Sequence, residues 1–420
     1  MNIEETVKQI CGLDKVAMQR AKEHWDAIAK PLNSLGLLEE AFIRIAGITG
    51  TERIVLDKKA VAVFCADNGI VEEGVTQTGQ EVTAAVTDTM GRGQSCVCIM
   101  AEQAGADVFP VDIGVKRAGA DAALADADGQ CTGGCAVSET AREIQKRTEN
   151  IASAKKGTEG RTNRRTNGTT EGRTSRTTEG RTNGTNGINM VLNCRLMNGT
   201  RNFTKAPAMD RETAVRAVET GIEMVRCLKQ QGYRIIATGE MGIGNTTTSS
   251  AVIAVLLGID PEEVTGRGAG LSTEGLARKR EVIRRGIDLW KPDRRDAVDV
   301  LSKVGGLDLA GLTGVFLGGA LYRVPIVVDG LISSAAALAA KTICPAAAEY
   351  MLASHCSAEP AGELVLGALG LNPLLYGRLC LGEGTGAVTL FPLLDMAAAV
   401  YHQMSTFSQM DIEAYSPFDE

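Results

Sequence analysis

Tyr233-Arg-Ile-Ile-Ala-Thr238-Gly239-Glu240-Met241-Gly242-Ile243-Gly244-Asn245-Thr246-Thr247-Thr248 reads as a strand, a glycine-rich turn and the start of a helix. The residues Arg234 to Thr238 are short and β-branched, as a buried parallel strand requires. Gly239, Gly242 and Gly244 let the chain turn tightly and bring backbone N–H groups near a ligand. Asn245 or one of the threonines is expected to cap the helix, whose apolar body runs from Ser249 to Leu257. A glycine-rich turn opening a helix is an anion site, because unpaired N–H groups and the helix dipole point at it. Phosphate is the natural anion, and a sharp βα turn without a ligand is the alternative.

The turn is also informative for what it lacks. Gly239 and Gly244 have P-loop spacing, but Asn245 stands where that loop has its lysine, which disfavours an ATP-dependent kinase. Gly-x-Gly-x-x-Gly is absent. Glu240 places a carboxylate inside the anion site and would repel phosphate unless it serves another part of the ligand. The mixture suggests phosphate at one end and proton chemistry at the other.

The 420 residues, 44% hydrophobic, suffice for one large domain with an accessory or for two compact ones. Scarce aromatics (4%) and 48 glycines favour an α/β enzyme rich in βα turns over a β-sandwich. A net charge of −7 argues against general nucleic-acid affinity. No apolar run reaches the roughly 18–20 residues that span a bilayer. The start, Met1-Asn-Ile-Glu-Glu-Thr, lacks the basic and apolar regions of a signal peptide. Eleven scattered cysteines read as reduced thiols of a cytoplasmic protein. Cys96-x-Cys98 and Cys131-x3-Cys135 match zinc spacing poorly, and with only three histidines in the chain no metal or cofactor is expected.

Outward from the central turn, residues 1–30 read as amphipathic helix with Trp25 as a packing anchor, broken at Pro31 to Gly36 and resumed from Leu37 to Ala46. Lys59 to Cys65 is a strand ending in Ala66-Asp67-Asn68-Gly69, where open α/β sheets place their sites. The polar run Glu73 to Thr83 is a substrate loop or a surface connection, followed by helix from Ala84. Ala106 to Gly114 is a second strand. From about 117 to 187 the chain turns polar: Thr-Glu-Gly-Arg-Thr recurs at 158–162, 170–174 and 178–182. It reads as a disordered, locally basic insertion, a solvated tether rather than a nucleic-acid arm. Asp210 caps a helix that reaches about Gln231. A second glycine-dense turn, Val264 to Gly270, holds Arg267, and Lys279 on the next helix can swing back to a phosphate or be solvated. Val324 to Gly330 is a strand with Asp329 at its carboxyl end. His355 and Cys356 are adjacent and point to opposite faces, so they make no nucleophile pair. Glu383, alone among Gly382, Gly384 and Gly386, has no packing or capping reason to be there; half-desolvated, it suits a general base.

Taken in order, Ala66–Val71, Gly74–Thr83, Gly239–Thr248, Gly266–Leu271, Val328–Gly330, Ser354–Pro360 and Gly382–Gly386 resemble the nicotinate-nucleotide–dimethylbenzimidazole phosphoribosyltransferase family. The resemblance covers nearly everything but the insertion and the extreme tail. It implies transfer of phosphoribose from nicotinate mononucleotide to 5,6-dimethylbenzimidazole, for the lower ligand of cobalamin. It implies a homodimer and a Rossmann-like parallel sheet flanked by helices (51–385, interrupted at about 117–187). A small helical domain would come from segments 1–50 and 386–420. Position by position it implies Glu383 as base and Glu240 as second acid. Gly242, Gly244, Asn245, Thr246, Gly268, Lys279, Gly330 and Ser357 fall around the nucleotide, mainly its phosphate. Thr76, Gln80, Met241 and Leu381 fall by the acceptor base. Gly79 stands where the family often has proline. A non-catalytic nucleotide sensor, or transfer to a different base, are the alternatives.

Overall fold

The computed structural model describes residues 2–117 and 191–415, with Arg142, Gln145, Lys146 and Glu149 between them. Apart from Arg117 and those four, the insertion assigned to 117–187 lies outside the described residues.

The strands are β1 (Lys59–Ala66), β2 (Ala106–Gly114), β3 (Leu192–Asn193), β4 (Ile235–Met241), β5 (Ile326–Val328) and β6 (Met351–Ala353). They form one sheet in the order β3-β2-β1-β4-β5-β6, with every pairing parallel. Every residue of β1 is buried, which is why this strand reads as an unbroken apolar run rather than an alternating one. Its side chains nevertheless divide between two cores. Ala60, Ala62 and Phe64 face one layer of helices; Val61, Val63 and Cys65 face the other.

The first layer contains helices Arg211–Gln230, Asn245–Leu257, Leu307–Tyr322 and Leu331–Ile343. The helix Leu307–Tyr322 is apolar all round and buried on all sides through Ala320. The second layer draws on both ends of the chain: Lys15–Ala27, Leu37–Thr49 and Cys96–Gln103 pack with Thr385–Gln403. Here Trp25 meets Tyr401 at 4.9 Å between ring centres and Phe42 at 5.8 Å, both edge-on. Ile28 bridges Thr406 in antiparallel fashion, so the segment after the last helix is stitched to the segment after the second.

The strand order reverses direction between β1 and β4. The crevice in which an open parallel sheet binds ligands therefore opens beyond Ala66 and Met241. The turn that the sequence singles out lies on this crevice. One local expectation is corrected: neither Asn245 nor a threonine caps the following helix. The cap is Gly244, at φ 95°, with no side-chain hydrogen bond. That left-handed residue carries Asn245 into the first helical turn and frees its amide for another partner.

Candidate active site

At the crevice lies a cavity of about 290 Å³. Its wall includes Glu240, Met241, Gly242, Gly244, Asn245 and Thr246 from the central turn, and Gly268, Gly330, Ser357, Leu381 and Glu383 from four other segments, with Thr76 from the polar loop. Segments that the sequence separates by up to 307 positions thus converge on one space. Lys279 stands just behind the wall. It is 1% exposed, and its Nζ donates to Thr246 Oγ1 at 2.8 Å and to the Gly266 carbonyl at 3.2 Å. It is therefore buried rather than solvated. Burial lowers its pKa to about 8, against the opposing pull of Glu359. Thr246, Gly268 and Lys279 meet beside the helix N-terminus, an arrangement of the kind that suits an anion.

Gln80, like Lys279, is a predicted site residue that does not line the cavity. Its Nε2 donates to the Asn68 carbonyl at 3.1 Å, and its Oε1 accepts from Lys116 Nζ at 3.3 Å. Gln80 thus fastens the loop to the end of β1. The loop is fixed on its other side as well: Gln77 donates to the Gly270 carbonyl and Arg278 to the Gly74 carbonyl at 3.2 Å.

Another part of the cavity wall is acidic. Glu240, the penultimate residue of β4, is 6% exposed and accepts from the Asn245 side-chain amide that the Gly244 cap releases. Burial, with the charges of Asp308 and Asp329 behind it, holds its carboxyl well above the ordinary carboxylate range. Asp308, at the start of helix Leu307–Tyr322, is fully buried and pushed up to about 7 by that burial.

Glu383 sits on a turn of three consecutive left-handed residues, with φ 89° at Gly382, 60° at Glu383 and 91° at Gly384. A non-glycine residue held there is strained by of order 1–3 kcal/mol, which surrounding contacts must impose. Two contacts do so. The Glu383 Oε2 accepts from Val97 N–H at 3.3 Å, in the first turn of the helix capped by Ser95. Asp329, at the end of β5, accepts from Gly384 N–H at 3.2 Å and Ala387 N–H at 2.8 Å, which fixes the N-terminus of helix Thr385–Gln403. Burial raises the pKa of Glu383, with a smaller push from Asp329, while the Val97 N–H and Ser95 oppose it. The result is a half-buried carboxylate at the cavity wall, poised to take a proton.

Ser95, Val97, Asp308 and Asp329 build this acidic part, and none was predicted as a site residue. The only signal in the sequence was Asp329, placed at the carboxyl end of a strand. The remaining three look like ordinary helix starts.

A parallel sheet with an anion cradle and a perturbed acid at its switch point defines a nucleotide-binding α/β protein. A family model described as phosphoribosyltransferase matches residues 10–163 and 175–412. Its gap is confined to 164–174, so it runs through much of the segment assigned to an insertion. A protein of Ruminiclostridium cellulolyticum named nicotinate-nucleotide–dimethylbenzimidazole phosphoribosyltransferase is 39% identical over 419 residues, covering 100% of both chains. One of the same name from Acetivibrio thermocellus is 40% identical over 413 residues, 98% of this chain and 99% of its own. The crystal structure of CobT from Thermus thermophilus superposes with a TM-score of 0.75 at 33% identity, over 95% of this chain and 99% of that one. This chain belongs to the nicotinate-nucleotide–dimethylbenzimidazole phosphoribosyltransferase family. The resemblance and the fold class expected from the sequence are both borne out. Among the described residues no helix is long and apolar enough to cross a membrane.

Proposed function

We propose that the chain transfers phosphoribose from nicotinate mononucleotide to 5,6-dimethylbenzimidazole, giving α-ribazole 5′-phosphate and nicotinate for the lower ligand of cobalamin. The observation that carries this reading is Glu383. A strained, anchored carboxylate of raised pKa shares one cavity with a phosphate cradle. The leaving group needs no further activation, because the pyridinium is cationic and recovers its electron pair as the C1′–N bond breaks. One imidazole nitrogen of the acceptor attacks C1′ from the opposite side, which converts a β-nucleotide to an α-product. The N–H on the acceptor's other nitrogen gives its proton to Glu383. Glu240, whose carboxyl burial holds well above the ordinary carboxylate range, lies against the same turn and assists there. Thr76, Met241 and Leu381 offer the flat acceptor a largely apolar wall. The nucleotide, mainly its phosphate, lies with Gly242, Gly244, Asn245, Thr246, Gly268, Lys279, Gly330 and Ser357.

Purified protein mixed with nicotinate mononucleotide and dimethylbenzimidazole is expected to release nicotinate and form the α-nucleotide only when the acceptor is present. Chromatography follows both, and adenine or cresol in place of the acceptor maps the base slot. Tight nucleotide binding without product would favour the sensor instead.

Lys279 supplies a pH signature. Below about pH 8 its Nζ is charged and meets the phosphate; above it the charge is lost in the free enzyme. The kcat/KM for nucleotide is expected to fall as pH rises through 8. Lys279→Met should lose roughly 10–150-fold in kcat/KM below that pH, the value of a charged hydrogen bond, and show no such limb. A limb that survives in Lys279→Met would assign it to another group.

The same reading takes the protein as a cytoplasmic homodimer, consistent with the free thiols of all described cysteines. Segments 1–50 and 386–420 form its small helical domain beside the catalytic domain, 51–385.

A further inference from the structure

Two loops of unequal firmness line the cavity near solvent. Arg267, Gly268 and Ala269 belong to the first. That turn is tied down at several points. The N–H groups of Gly270 and Leu271 donate to the Arg267 carbonyl at 3.2 and 3.1 Å. The Arg267 guanidinium donates to the Leu271 carbonyl at 2.7 Å and to Thr273 Oγ1 at 3.2 Å, and Lys279 holds the Gly266 carbonyl.

Thr76, Gln77 and Thr78 belong to the second. They lie between two fixed points. Ahead of them Glu73 accepts from Asn202 Nδ2 and Thr204 Oγ1, each at 2.8 Å, and from the Arg285 guanidinium. Val75 is buried, 2% exposed. Behind them Gln80 is fastened to the Asn68 carbonyl. Between these points the main chain is unsupported. Among the described residues, no N–H or carbonyl of residues 75–78 pairs with another main-chain group. Thr76 Oγ1 donates to the Thr78 carbonyl at 2.8 Å, which shapes the segment without tying it to anything else. A stretch with so few backbone hydrogen bonds opens locally at small cost.

Among the described residues, one hydrogen bond leaves 76–78 for the rest of the protein. Gln77 Nε2 donates to the Gly270 carbonyl, on the firm turn. Both residues are exposed, so the contact closes the solvent edge of the cavity and water competes for it. It also joins the places of the two substrates. Thr76, by the acceptor, immediately precedes Gln77, and Gly268, by the phosphate, lies two positions before Gly270. We propose that residues 76–78 are a strap across the mouth of the cavity, latched by the Gln77 amide on the Gly270 carbonyl and released when the nucleotide enters or leaves. Breaking the latch frees the strap without disturbing the turn it closes on. The inference rests on the nucleotide-binding part of the function proposed above and does not need turnover.

The test titrates the full-length protein with nicotinate mononucleotide and takes its rate of release from ³¹P NMR lineshapes. Gln77→Met keeps the length of the side chain and removes the donor. Gln77→Glu sets an acceptor against the Gly270 carbonyl. Both variants are expected to release the nucleotide about 2–10-fold faster than the wild type, the range of one net hydrogen bond. Both should keep the wild-type Tm, because the contact is exposed. Agreement between them separates the latch from the charge that glutamate adds. Release from Gln77→Met at the wild-type rate overturns the inference. A lowered Tm in both variants overturns it too, since the contact would then hold the fold rather than a strap. Product formed by a Gln77→Met protein of unchanged release rate removes the strap and leaves the transferase reading. Faster release from variants of a protein that forms no α-nucleotide does the reverse.

Discussion

Glu383→Gln is expected to fold as the wild type does and to lose about 10²–10⁴-fold in kcat, the usual contribution of a general base. The geometry explains why the two effects separate. Glutamine keeps an oxygen that can accept from Val97 N–H, so the anchor at the start of helix Cys96–Gln103 survives. It also keeps the volume that fills the half-buried site. What it loses is the ability to take a proton. The KM for nicotinate mononucleotide should change little, because the phosphate cradle is built from other segments. The acid limb of the pH profile, which the raised carboxyl of Glu383 generates, should disappear with the activity. Thermal unfolding and single-turnover nicotinate release measure the two separately. Wild-type rates in the glutamine variant would rule out the base assignment.

Gly239→Ala should damage both stability and turnover. Gly239 lies in β4, paired with Val63 of β1 in the centre of the sheet, and cannot move without disturbing the ladder. A Cβ there would fall 2.4 Å from the Glu383 carbonyl oxygen, 2.7 Å from its carbon and 2.9 Å from Gly384 N. All three are backbone atoms, so no side chain can swing aside. The turn carrying Glu383 must shift, although Asp329 and Val97 hold it from two other directions. Overpacking of this kind costs about 1–3 kcal/mol. A displacement of even ~1 Å at the reacting centre can cost ~10²-fold in rate. Urea unfolding and kcat/KM should both report the loss. Gly330→Ala is the stability control, since its Cβ would make only ordinary contacts, the closest at 3.7 Å. Equal stability of the two alanine variants would show that the Glu383 turn is looser than its contacts indicate.

What the sequence disclosed and what it withheld follow from the range of the interactions. The unit Ile235–Leu257 was readable because strand, turn and helix each leave a local signature within one short stretch. Glu383 was readable because a charge between glycines has no other local use. The capping error at Asn245 was also local. Asparagine is a good cap, but the left-handed glycine before it took that position and sent the amide to Glu240. Gln80 was placed by the acceptor base through the family resemblance, and its amide closes on Asn68. The partners of Glu383 and Asp329 were beyond local reading. Val97 lies 286 positions from Glu383, and Gly384 lies 55 from Asp329. A helix N-terminus looks alike in sequence whatever faces it. Lys279 posed the same difficulty: only the packed structure shows that its amine is turned inward on Thr246.

The stitching of the two chain ends has a consequence for biosynthesis. Trp25 and Phe42 emerge from the ribosome long before the ring that completes their cluster, Tyr401. The same delay governs the chemistry. Asp329 waits for the N–H groups of Gly384 and Ala387, and Gly239 for the turn that covers it. A nascent chain therefore carries the sheet's central strands with one helical layer unfinished and apolar surface uncovered, the condition in which chains aggregate or recruit chaperones. Ribosome-bound chains truncated before Thr385 should be sensitive to protease and devoid of activity, and both properties should change together once residues through Phe407 have cleared the exit tunnel.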